Sequence, residues 1–240
     1  MTTRSLLVVI AAAAAITWLL LDTVHWAART WTVILLVPLP ALFIVQGRKL
    51  GELDVLPRSE AYISSIASLW ILAALTAGVG WVSGYRLPDL GLIALSPERT
   101  LITSVALTAA GIAVLFAFRL AGVREPPLMR ELLPVSRDER ILFLGVAVTA
   151  GICEEIIFRG FLIAVLHAAT ASLPIAVLVS SAVFGVAHAY QQPAGAVRAT
   201  ILGAILALPL LSDGSIVPAI IAHAAIDIIS GLWLARYLLR

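Results

Sequence analysis

The chain reads as a series of long apolar runs separated by short polar interruptions. The first run is Leu6–Leu21. Others follow at Thr30–Gln46, Tyr62–Ser83, Thr100–Leu120, Ile141–His167, Pro174–Tyr190, Val197–Leu211 and Ile216–Leu238. A helix needs about 20 apolar residues to cross the hydrocarbon core of a bilayer. The pattern therefore predicts an all-α fold, a polytopic transmembrane helix bundle of about eight spans. The runs at Thr30 and Val197 are short for a span. Pro38, Pro40 and Pro209 fall inside runs, where neighbouring helices can satisfy the carbonyls that a proline frees. The first run leads into Asp22, His25 and Trp26 with no small-residue cleavage site, so it reads as a retained helix rather than a signal peptide.

Composition supports the same class. The 240 residues are 61% hydrophobic and 12% charged, with a mean hydropathy of +1.05. A soluble domain carries about 45–50% apolar and about 25% charged residues. A soluble fold of this length could not hide so much apolar surface, whereas lipid can solvate it. The net charge of +2 is too small to point to a nucleic-acid partner. A single cysteine, Cys153, excludes an internal disulfide and a paired-cysteine metal site.

The charges give an orientation. If the N-terminus is cytoplasmic and the chain crosses eight times, Arg4, Arg48, Lys49, Arg58, Arg119, Arg124, Arg130, Arg137, Arg140, Arg198, Arg236 and Arg240 lie inside. Only Arg29, Arg86 and Arg99 lie outside. The positive-inside rule then predicts that both termini are cytoplasmic. Trp26, Trp31, Trp81 and Tyr237 near span ends suit an aromatic belt. The charged, proline-rich stretch Arg119–Arg140 divides the chain into N-terminal membrane helices over 1–120 and a C-terminal membrane core over 121–240.

Ionisable groups inside spans are costly and usually functional. They concentrate in the second part, as Glu154-Glu155-Ile-Ile-Phe158-Arg159, then Phe184 and His188, then His223 and Asp227. Glu155 and Arg159 are four apart, so they share a helix face and can pair; alone, this is as readily a structural lock as a functional feature. Glu154 is rotated by about 100° from Glu155 on an α-helix. It is predicted to point toward a different neighbour, where it needs a proton, a cation or a histidine partner. His223 and Asp227 are also four apart. The carboxylate either fixes the imidazole tautomer or shares a pocket with it. Phe184 is expected to pack on the His188 ring. His25 and His167 sit near span ends. Cys153 is a poor nucleophile, since the adjacent carboxylate opposes a thiolate. Ser180 and Ser181 read as small helix-packing residues. Asp213 and Gly214 mark a turn.

Glu-Glu-x-x-x-Arg, Phe-x-x-x-His and His-x-x-x-Asp, in that order on successive apolar helices, resemble the CAAX protease and bacteriocin-processing family. That family includes the type II CAAX prenyl endopeptidases and the bacterial Abi-type proteins. The resemblance runs from about Arg140 to the C-terminus and implies an intramembrane endopeptidase, in a bacterial cell membrane. It implies that Glu154 activates the hydrolytic water together with His188. It also implies that His223 and Asp227 support the oxyanion and that Glu155 and Arg159 orient the site. An ionised Asp227 cannot donate to an oxyanion, so it is either protonated or acts through His223. The expected partners are a peptide or protein substrate, which can carry a lipid, and membrane lipid. A divalent metal such as zinc, held by Glu154, His188 and His223, is the alternative chemistry. No His-Glu-x-x-His helix is present, so an ordinary zincin is excluded.

Depth along the spans is less consistent. Glu154 lies about 21 Å from Arg140 along a straight helix, and His223 about 10 Å in from the other side. His188, near the cytoplasmic end of its short span, does not match them. Two other readings of the same residues are a non-catalytic scaffold or immunity protein and a proton-relay transporter. The transporter would call for an inverted repeat, and the sequence shows none.

Overall fold

The structure is a computed structural model that describes residues 3–49 and 57–238. Among the described residues it is helical, with no strand. In chain order the α-helices are α1 Thr3–Leu20, α2 Trp26–Leu36, α3 Pro38–Lys49, α4 Arg58–Val82, α5 Pro97–Leu120, α6 Pro127–Glu131 and α7 Arg137–Glu154. They continue as α8 Ile163–Thr170, α9 Leu173–Ala187, α10 Gln192–Leu206, α11 Leu208–Asp213, α12 Val217–Ile228 and α13 Ala235–Leu238. π-helical turns at Glu155–Leu162 and Ile229–Leu234 join α7 to α8 and α12 to α13.

Six continuous stretches are long and apolar enough to cross a membrane: Trp26–Val45, Arg58–Val82, Pro97–Leu120, Arg137–Thr170, Ala189–Asp213 and Val217–Leu234. Ser5–Leu20 and Leu173–Ala187 are shorter apolar helices. Each apolar run of the sequence is thus helical. The runs at Thr30 and Val197 are longer than their hydropathy indicates, because helix continues into their polar flanks. The prolines mark where those rods break. α2 stops at Leu36 and α3 restarts on Pro38; α10 stops at Leu206 and Pro209 sits in the first turn of α11. A proline fits a first turn because its missing N–H would have no partner there.

The α7–α8 rod is the centre of the bundle. Of its most apolar window 44% is buried, against 17% for Arg58–Val82 and 22% for Pro97–Leu120. Ile157, Phe161, Leu162 and Val165 on the central rod are fully buried. Trp70, Ile71, Leu75, Leu101, Ile102 and Val105 on the outer helices are exposed. Lipid is the natural solvent for that outer face.

α7 lies between α4 and α12, while α9 lies between α8 and α10. Small residues let the backbones approach. A Cβ on Gly151 of α7 would stand 2.8 Å from the Ile220 carbonyl oxygen and 3.0 Å from the Ala224 Cβ of α12. Gly151→Leu is therefore expected to lower stability by about 1–3 kcal/mol through overpacking. Thermal unfolding in detergent reads this out, and an unchanged midpoint would show that the helices part freely.

Trp31 makes a helix-to-helix contact. Its Nε1–H donates to Thr76 Oγ1 at 2.9 Å, tying α2 to α4. Trp26 and Trp81 are 67% and 65% exposed. Asp213 and Gly214 do form a turn, with Gly214 at φ +68° and Asp213 paired to Arg99 at 3.1 Å. Of the basic residues that bias the orientation, the side chains of Arg4, Arg48, Lys49 and Arg236 and the whole of Arg240 lie outside the described residues.

The connection between α5 and α7 is more structured than its composition indicates. It contains α6 and ends in a capping box, in which Ser136 Oγ accepts from the Glu139 N–H at 3.1 Å and Glu139 accepts from the Ser136 N–H at 2.9 Å. Tyr62 Oη of α4 donates to the Leu132 carbonyl at 2.6 Å and holds the connection against the bundle.

Candidate active site

The two glutamates fall where the central rod changes pitch. Glu154 is the last residue of α7, and Glu155 opens the π-helical turn. Such turns are rare and concentrate at functional sites. Ser180 Oγ of α9 donates to the Phe158 carbonyl inside this turn at 2.7 Å, so one of the two expected packing serines also supports the π turn.

Glu155 and Arg159 pair as their spacing predicts, with Nη1 donating to Oε1 at 2.8 Å; the side chains are 0% and 1% exposed. Arg159 Nε donates to the Gly203 carbonyl of α10 at 3.4 Å, and its guanidinium lies 4.2 Å over the Phe184 ring. The pair has a third member. Glu155 Oε1 is also 2.8 Å from His223 Nδ1. An ionised carboxylate only accepts, so Nδ1 carries a proton and Nε2 is the nitrogen turned away from Glu155.

Nε2 of His223 lies 3.8 Å from Glu154 Oε2 and 3.7 Å from Asp227 Oδ2. Glu154 and Glu155 therefore flank one imidazole rather than serving separate neighbours. Of the two roles open to Asp227, the geometry gives the shared pocket, because Glu155 holds the tautomer. Glu154 Oε2, Glu155 Oε2 and Arg159 Nη2 are buried with no hydrogen-bond partner among the described residues.

His188 caps the C-terminus of α9, with its Nδ1–H donating to the Phe184 carbonyl at 2.9 Å. A neutral ring held this way keeps its acceptor at Nε2. The Phe184 ring stands 4.5 Å from the His188 ring and 6.0 Å, edge-on, from the His223 ring. It packs on both imidazoles. Glu154, His188, His223 and Asp227 all line one cavity of about 370 Å³. The mismatch in depth disappears because α9 has 15 residues. That is about 22 Å of helix against a hydrocarbon core of about 30 Å. The helix ends inside the bundle, at the depth of the glutamates.

Glu155 and Arg159 do not line the cavity; they stand behind it. Among the described residues no three His, Cys, Asp or Glu side chains are grouped so as to hold a metal ion. Glu154, His188 and His223 share the cavity without forming a ligand set as they stand. Cys153 is fully buried.

Sequence reasoning missed four lining residues: Glu125, Tyr190, Gln191 and Arg198. Arg198 had a signal, since it follows directly on the start of an apolar run. It reads as a loop charge in the sequence, yet it is 8% exposed in α10. Glu125, in the α5–α6 connection, is its partner.

Fold and site together define a polytopic membrane bundle with acid–base side chains gathered around an internal cavity. Residues 137–229 match the model of the Rce1-like family of type II CAAX prenyl endopeptidases, to which this stretch is similar. The match begins at the first residue of α7 and ends just past α12, so it contains all six predicted site residues. Neither the curated proteins nor the solved structures compared with the chain give a match. The family is one of membrane endopeptidases, and the chain is an integral membrane protein.

Proposed function

We propose that the protein is an intramembrane endopeptidase that hydrolyses a peptide bond in a peptide or membrane-associated protein, including one that carries a lipid. The observation that carries this reading is the placement of Glu154 and Asp227 on the Nε2 side of His223, inside a cavity that also holds His188. The Glu154–His223 separation of 3.8 Å is too long for a direct hydrogen bond and suits a bridging water.

Glu154 takes a proton from the water as its oxygen attacks the scissile carbonyl carbon. His188 Nε2 holds the same water in line. His223, with protons on both nitrogens, would donate Nδ1–H to Glu155 and Nε2–H to the oxyanion of the tetrahedral intermediate. Asp227 supports that charge state rather than donating itself. When the C–N bond breaks, Glu154 returns its proton to the leaving amine. Glu155 and Arg159 keep the His223 ring in register. No step requires a group beyond these side chains and water.

The residues 121–240 carry this machinery, and 1–120 supply flanking helices. The cavity is lined on one side by Glu125, Met129, Leu132 and Leu133 of the α5–α7 connection. That connection also carries Arg124, Arg130 and Arg137. The positive-inside rule supports a cytoplasmic position for it and for both termini. Substrate then enters from the cytoplasmic side.

A scaffold or immunity role would need only the buried Glu155–Arg159–His223 network; it gives no reason for Glu154 to face the cavity. The purified protein in proteoliposomes is expected to cut apolar peptides, read by mass spectrometry. A folded preparation that leaves every peptide intact would favour the scaffold instead.

A further inference from the structure

Four hydroxyl side chains line the cavity among the described residues: Tyr62, Ser65, Tyr190 and Ser230. Three of them have committed their hydrogen. Tyr62 donates to the Leu132 carbonyl at 2.6 Å, Ser65 to the Ala61 carbonyl at 2.8 Å and Ser230 to the Asp227 carbonyl at 3.2 Å. Tyr190 differs. Its Oη accepts from Gln191 Nε2 at 3.2 Å, and among the described residues its own hydrogen has no acceptor. Arg198 fixes which way the Gln191 amide points. Its Nη2 donates to Gln191 Oε1 at 2.8 Å, and a guanidinium can only donate. The amide therefore turns its NH2 group to Tyr190, and the phenol must accept.

The direction of this run matters. It starts at a charge, Arg198, which Glu125 pairs through both Nη1 and Nη2. It then passes through Gln191 to the phenol oxygen. Each link polarises the next, so the free O–H is a stronger donor than an isolated phenol. Its place is also right. Tyr190 lies in the short 3₁₀ turn Ala189–Gln191 directly after His188, with its ring 5.9 Å from the His188 ring. The hydroxyl is within electrostatic reach of both Glu154 and Asp227. Those neighbours have no hydrogen to give. An ionised carboxylate only accepts, and His188 keeps Nε2 as an acceptor. Beside His223, Tyr190 brings to this end of the cavity the donor that the others lack.

We infer that Tyr190 is a further catalytic residue, the second donor to the oxyanion, and that Gln191 and Arg198 are its positioning residues. This rests on the reading of the cavity as a peptidase site. As the water oxygen bonds to the scissile carbonyl carbon, the C=O π pair moves onto the carbonyl oxygen. Tyr190 Oη–H donates a hydrogen bond to that oxygen, together with Nε2–H of His223. The tyrosine keeps its proton throughout. When the pair returns and the C–N bond breaks, Glu154 alone supplies the proton that the leaving amine takes, so the balance of the reaction is unchanged. Donors already aimed at the developing charge need no reorganisation, and in a site poor in water each is worth more than in solution. A lone accepting bond from Gln191 leaves the phenol no other use for its hydrogen inside the empty cavity.

The test separates the tetrahedral anion from the ground state. In the detergent-solubilised full chain, kcat and KM are measured on an apolar peptide. Calorimetry measures the affinity for its phosphinate analogue, in which a tetrahedral anion replaces the scissile amide. Y190F is expected to lower kcat by about 10²–10³-fold, the scale for one oxyanion donor, and to weaken phosphinate binding by a similar factor. KM and the unfolding midpoint should stay at the wild-type values. Q191L, which only frees the phenol to turn, is expected to lower kcat by about 10-fold, the scale of one hydrogen bond. In the Y190F background it should have no further effect. A Y190F kcat within about fivefold of wild type, or an unchanged phosphinate affinity, would overturn the assignment, since a true donor costs far more. A Q191L loss that multiplies with that of Y190F would do the same for the positioning role. If Y190F does not fold, Q191L decides through kcat and phosphinate affinity together. A wild type that cuts no peptide yet binds the phosphinate through Tyr190 would remove the endopeptidase reading and keep the donor. Cleavage that Y190F leaves intact would remove the donor and keep the reading, and a wild type that neither cuts nor binds would remove both.

Discussion

Arg159→Ala is expected to lower the unfolding free energy by about 3–5 kcal/mol, the scale for removing one partner of a buried ion pair. The reason is not the strength of the pair but what its loss leaves behind. Glu155 is fully buried and its Oε2 already lacks a partner. Without Arg159 it would keep only His223 Nδ1. No water reaches this part of the bundle cheaply, and a buried unpaired charge is costly. The mutation also removes the donor to Gly203 and the cation over Phe184. Removing both charges with Glu155→Leu and Arg159→Met should damage the fold less than Arg159→Ala alone, because no lone ion remains. It should still abolish activity, because the His223 ring loses the carboxylate that fixes Nδ1. Thermal unfolding in detergent separates these cases. A wild-type midpoint for Arg159→Ala would mean that Glu155 finds another partner or is never ionised.

Glu154→Gln should behave in the opposite way. Stability should hold, since the Oε2 of Glu154 makes no hydrogen bond and a neutral amide is easier to bury. Cleavage should fall by about 10²–10⁴-fold in kcat, the usual contribution of a positioned general base. KM should change little, because the group acts on water and not on substrate. A kcat within about 10-fold of wild type would place the base elsewhere, below the range expected for such a group.

Much of this was legible in the chain. The apolar runs are the helices because a bilayer leaves a backbone few other ways to satisfy itself. The proline positions locate the breaks at Val37 and Ala207, where the rods were expected to continue. Glu154, His188, His223 and Asp227 converge on one cavity because three separate apolar helices each carry one polar cluster, and polar groups in lipid gather together.

What was not legible depends on register and on long-range pairing. Glu154 and Glu155 point apart along the helix, yet both reach His223, because the ring from α12 lies between them with Nδ1 on Glu155 and Nε2 toward Glu154. No pattern in Glu-Glu-Ile-Ile-Phe-Arg announces the π turn that starts at Glu155. The mismatch of His188 came from treating α9 as a full span. Arg198 looked like one more loop charge, since its partner Glu125 is 73 residues away. The bond from Trp31 to Thr76, which spans 45 residues, is hidden in the sequence in the same way.

The central claim is that Glu154 and His188 act on the same water. A double-mutant cycle measures it, with kcat determined for wild type, Glu154→Gln, His188→Ala and the double variant, each shown to unfold at the wild-type midpoint. Residues that act as a unit lose their effect together, so the double variant is expected to be no slower than the slower single variant, within about threefold. Losses that multiply across the two positions would show that the residues work independently, and would contradict the account.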